Sequence, residues 1–150
     1  MTSYQLPKAE RRAMRLAGDA LRCALVDDWT LATRTVQRIS DECGSAGVAR
    51  AILGWSDTLI ARTPGLHGNA VRLAFMNADS GEVGGADDVP EEVRWAGRVL
   101  AARAADDEDA WNALMDALPD DPAATGRHVA RLLHLVALNL RNLGVTGGVA

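Results

Sequence analysis

The stretch ADDEDAWNALMDALPDDP, Ala105 to Pro122, sets seven acidic side chains around a short apolar run: Asp106, Asp107, Glu108, Asp109, Asp116, Asp120 and Asp121. Its reading decides the fold, because the same residues are either an acidic site or the punctuation of helices. Carboxylates just before and within a first helical turn cap free backbone N–H groups and meet the positive end of the helix dipole. Pro122 suits the first helical position, where its missing N–H costs nothing. Asp27 and Asp28, and Asp87 and Asp88 with Glu91 and Glu92, recur at two other expected helix starts. Four acidic clusters at four helix starts is the pattern capping predicts. A carboxylate-bridged metal site would need inward-facing Glu and Glu-x-x-His sets from two helices, and no Glu-x-x-His occurs. The segment NADSGEVGGADD fails the calcium-loop pattern, since Gly81 stands where an oxygen ligand belongs. No metal and no cofactor are expected.

Working outward, strand signals are nearly absent and helical ones recur throughout. The expected helices run over residues 7–26, 29–42 and 47–62, with a short one near Asn69–Asn77; a fifth starts at Pro90 or Glu91, a sixth near Asp107, and the last runs over 121–143. CGSAG (Cys43–Gly47) marks the turn between the second and third. Ala78 to Pro90 is the longest loop and the expected hinge, and the last residues are a frayed tail. The first helix carries a seam of Ala13, Ala17, Ala20 and Ala24, which lets a neighbour approach closely. The last helix is apolar nearly all round, with Leu132, Leu133, Val136, Leu140 and Leu143 on one stripe and Val129, Leu135 and Leu138 off it. Such a helix is central, covered by neighbours or by another subunit.

GVARAILGWSDTLI (Gly47–Ile60) and HVARLLHLVALNLR (His128–Arg141) share Val-Ala-Arg at an offset of 81 residues. Each follows a helix pair joined by an acidic turn. The chain therefore reads as two similar three-helix halves, 7–62 and 90–143. Ala110, Leu114, Ala117 and Pro122, and in the first half Asp28, Trp29, Ala32 and Val36, fall at spacings that resemble the second helix of a tetratricopeptide repeat. That family repeats every 34 residues, unlike the offset found here, so the resemblance implies helical hairpins and no peptide groove.

At 150 residues, 48% apolar and 24% charged, the chain has the size and composition of one globular domain. A net charge of −4 gives no global attraction to nucleic acid or an anionic membrane. No apolar run reaches the roughly 18 residues that span a bilayer, and the N-terminus lacks a signal-peptide core, so a cytoplasmic address is expected. Cys23 and Cys43 form no CxxC and are expected to be reduced and buried. His128 and His134 are six apart, about 240° around a helix, and do not share an ion. His67 falls in a turn. No nucleophile elbow or Cys–His pair points to an enzyme.

One polar pattern stands out: Lys8, Arg11, Arg15 and Arg22 lie within about 60° of one another on the first helix, opposite the alanine seam. It suits contact with phosphate or an acidic partner. The expected fold is all-α, a compact bundle of six or seven helices. The expected function is a non-enzymatic interaction module acting on a protein partner or on itself as a homo-oligomer, with Trp111, Leu135 and Leu138 as contact residues. The alternative is a nucleic-acid-associated accessory protein using the basic stripe.

Overall fold

A computed structural model describes residues 7–68, 75–76, 83–84 and 89–145. The class is all-α. Helix α1 spans Lys8–Leu25, α2 Trp29–Arg62, α3 Glu91–Ala104, α4 Glu108–Asp116 and α5 Pro122–Asn142. Five helices are delimited where six or seven were expected; the expected second and third are the two arms of α2, which meet at the non-helical Gly44. The short helix at Asn69–Asn77 lies largely outside the described residues. Its described pair, Phe75–Met76, forms instead a two-residue antiparallel ladder with Val83–Gly84, named β1 and β2. The loop Ala78–Pro90 is otherwise outside the described residues up to Val89, as are Asp87, Asp88 and the chain beyond Val145.

Gly44 is the only residue inside α2 with non-helical dihedrals, φ 69° and ψ −167°. That region of backbone space is essentially reserved for glycine. Its effect is a reversal of the chain. Arg12 of α1 donates from Nε to Glu42 Oε1 at 2.8 Å, at the far end of the first arm. Just beyond the break, Gly47 faces Ala13, and further on Trp55 Nε1 donates to the Ala17 carbonyl at 2.9 Å. Contacts that advance along α1 as α2 advances mean that the second arm, residues 45–62, runs back alongside it. A straight helix of this length would extend about 50 Å and leave α1 behind. The turn is tight: a Cβ at Gly47 would overlap that of Cys43 and lie 3.4 Å from that of Ala13. Glu42 closes the corner by accepting from both Arg38 and Arg12, which hold its carboxyl below the usual range.

The core forms where α1, both arms of α2, α3 and α5 meet. The alanine seam is fully buried, as its spacing predicts, against Ile52, Trp55 and Leu59. On α5, Val129, Leu132, Leu133, Val136, Ala137 and Leu140 are buried. Leu143 is not part of that stripe: it caps the helix and is 45% exposed. Trp95 of α3 donates to the Leu114 carbonyl at 2.8 Å, tying α3 to α4.

Three of the four acidic clusters cap as expected. Asp28 accepts from the Leu31 N–H at 3.2 Å, Asp107 from Ala110 at 3.0 Å, and Asp121 from Ala124 at 3.2 Å, with Pro122 opening α5. At the fourth, α3 starts on Pro90 with Glu91 and Glu92 in its first turn and without a side-chain cap.

Two glycines of α2 test the reversal with opposite signs. Gly44→Ala puts a Cβ where space is open but the backbone forbids it, so denaturant unfolding should show a loss of about 1–3 kcal/mol. Gly54→Ala, in an ordinary exposed helical turn with no atom within 4 Å of the new Cβ, should gain about 0.4–1 kcal/mol.

Candidate functional site

Two helix–helix turns shape the surface and are built alike. After α1, Asp27 takes φ 59°, its N–H bonds the Ala24 carbonyl and the Asp28 N–H bonds that of Cys23. After α3, Asp106 takes φ 55°, its N–H bonds the Arg103 carbonyl and the Asp107 N–H bonds that of Ala102. Each is a Schellman closure with aspartate where glycine is commoner. In each the next aspartate caps the following helix.

The first turn docks on α5. Arg141 donates to Asp27 at 2.8 Å, and the Trp29 ring meets His134 edge to face at 5.1 Å. Both segments carry exposed apolar side chains. Val26 and Leu31 flank the turn at 56% and 46% exposure, and Leu138 and Leu143 flank Arg141 at 42% and 45%. Met14, 48% exposed, lies on α1. His134, Leu138 and Arg141 are three and four residues apart and share one face of α5. Leu138 therefore lies between the Trp29 contact and the Asp27 ion pair. Beside it a shallow groove of about 370 Å³ is lined by Trp29, Glu92, Arg127, Ala130, Arg131 and His134.

The second turn borders a different hollow. A cleft of about 510 Å³ lies between Leu53 of α2, Ala102 and Arg103 of α3, Asp106, Asp107 and Glu108 of the turn, and Trp111 and Asn112 of α4. Arg103 is clasped by Asp57, at 2.7 Å from Nε, which raises its pKa further. Asp106 also stands 3.7 Å from the exposed His67. Among the described residues no group of three His, Cys, Asp or Glu side chains is placed to hold a metal ion.

Of the residues singled out from sequence, Leu138 lies in the apolar corner. Leu135 and Trp111 are half-buried and pack against the core, with Trp111 walling the cleft. Lys8, Arg11, Arg15 and Arg22 are all exposed on α1, and Arg22 is paired with Asp19. The corner brings in Val26, Trp29, Leu31, His134 and Arg141, which sequence reasoning did not join to Leu138. The signal was an acidic turn followed by tryptophan, but nothing in sequence places that turn against a helix more than a hundred residues away. His128 is buried on α5, with Nδ1 2.8 Å from the Ala124 carbonyl and its ring edge-on to Trp95. Cys23 and Cys43 are free and half-buried, and burial followed by Asp28 pushes the Cys23 thiol up.

Partial desolvation of the still exposed His134, reinforced by Arg131 and Arg141, holds its pKa below the ordinary 6.5. Below pH 6.5 the unfolded chain takes up a proton that the folded one resists, so stability should fall on acidification until the folded histidine also titrates. Thermal melts between pH 7.5 and 5 should show this slope, and His134→Phe, which keeps a ring beside Trp29, should flatten it. An unchanged slope would separate His134 from the effect. The chain matches no family model, no curated protein and no solved structure.

Proposed function

We propose that this is a helical interaction protein that works through the corner formed by the first acidic turn and α5, either by self-association or by docking a protein partner. The observation that carries the reading is that Leu138, 42% exposed, stands on α5 between the two contacts that tie the first acidic turn to that helix, with the exposed Val26 in the turn itself. The rim here is Asp27, Arg127, Arg131 and Arg141, a mixture of signs that favours a specific orientation over general stickiness. The α1 stripe supports a phosphate contact less well, because Asp19 offsets Arg22 and the adjoining Arg12 is engaged by Glu42.

Light scattering after size exclusion tests the reading directly. Wild type should elute above the single-chain mass, and Leu138→Glu should elute at it with an unchanged helical circular dichroism spectrum. Because Leu138 is 42% exposed, the substitution should cost the fold no more than about 1 kcal/mol. A wild-type protein that stays monomeric at high concentration would remove self-association and leave the partner arm. An unfolded Leu138→Glu would identify the residue as core and remove the corner as a docking surface.

A further inference from the structure

The two hollows are related by the internal likeness of the chain. On the second arm of α2, residues Ala51, Ile52, Trp55, Ser56 and Leu59 are buried. Displaced by the sequence offset of 81, the positions are Leu132, Leu133, Val136, Ala137 and Leu140 of α5, and all five are buried. Along α1 and α3 an offset of 79 pairs Leu16 with Trp95, Ala17 with Ala96, Ala20 with Val99 and Leu25 with Ala104, again buried on both sides. The same offset superposes the two turns, Asp27 on Asp106 and Asp28 on Asp107, with their left-handed backbone and hydrogen bonds. At the offset of 79 the counterpart of Trp29 is Glu108, and at the offset of 81 that of His134 is Leu53.

The consequence is local. In the first half a tryptophan ring fills the angle between the turn and the long helix, edge-on to His134. In the second half that angle receives an exposed glutamate and a half-buried leucine, and the cleft of about 510 Å³ opens between them. Its walls are Leu53, Ala102 and Trp111, and its volume falls within the range that takes a small ligand. Its rim carries Asp106, Asp107 and Glu108, while the charge of Arg103 is matched by Asp57.

We propose that this cleft is a binding site for an aromatic cation: a planar ring packed on Leu53 and Trp111, in the place that Trp29 occupies in the first half, with its positive charge towards Asp106 and Glu108. The ring gains apolar burial and the indole face of Trp111, which also attracts a cation. An aromatic anion of the same shape would meet the carboxylate rim and be rejected. The proposal uses no property of the Leu138 corner, so either can fail alone.

Titration of the intact, ¹⁵N-labelled protein with tryptamine tests it, with indole-3-acetate as the probe of opposite charge. Tryptamine should saturably shift the Trp111 indole N–H and the amides of Leu53 and Glu108. Indole-3-acetate should bind at least about tenfold more weakly, or about 1.4 kcal/mol. Glu108→Trp should fill the cleft from within, abolish the tryptamine response and leave the thermal midpoint at or above that of wild type. Should that variant fail to fold, Trp111→Ala serves instead and should weaken tryptamine at least about tenfold by the same arithmetic. No saturable shift at these three residues, an equal response to both indoles, or undiminished binding after substitution would each overturn the proposal.

Discussion

The chain reversal at Gly44 is the constraint on which the rest of this structure depends. One residue at φ 69° turns what would be a long rod into two arms that clasp α1. Only then does the alanine seam of α1 face Ile52, Trp55 and Leu59. Alanines bury little area each, so the seam contributes through proximity: it allows the Trp55 ring to reach over α1 and bond the Ala17 carbonyl. A fully buried large side chain is worth about 1.5–3 kcal/mol, and the indole N–H is satisfied at the same time. Without the reversal, both the apolar burial and the hydrogen bond are lost together.

The second half solves a similar problem with different parts. Its short helix α4 contributes no buried residue of its own. α3 is therefore held chiefly against α5, where Trp95 meets His128 edge to face and lends its N–H to the Leu114 carbonyl. The buried histidine is an apolar-packed ring whose Nδ1 is bonded within its own helix, a structural use of a residue type that invites catalytic readings. The long apolar helix α5 then serves three neighbours at once: α3, α2, and α1 with its closing turn at Asp27. That explains why it is apolar over so much of its circumference.

Features governed by residues close in sequence were legible before the structure. The caps at Asp28, Asp107 and Asp121, the alanine seam and the start of α5 at Pro122 all follow from local backbone chemistry. The break at Cys43–Gly47 was legible as well, but its sharpness was not. Glycine composition tells that a chain can turn; it does not tell that one residue suffices while its neighbours stay helical. The misplacement of Leu143 has the same origin: helical periodicity continues on paper past the residue where the backbone leaves the helix. Trp29 against His134 and Arg141 against Asp27 were out of reach, since both depend on how the halves dock.

The two hollows show where a duplicated pattern carries information. Identical turns and matching burial mean that the backbone presents the same angle twice. Side chains then decide whether the angle is closed. Trp29 and His134 close the first, with the exposed Leu138 one turn further along α5. Glu108 and Leu53 leave the second open and acidic at its rim, with Trp111 as one wall. Structural requirements alone would favour an apolar residue in both angles, because filling such a space adds contacts and desolvates nothing charged. A carboxylate where its counterpart is an indole keeps the favourable charge at the start of α4 but gives up the apolar filling of the angle. Differences of that kind, at equivalent positions on one framework, are where a binding role is to be sought.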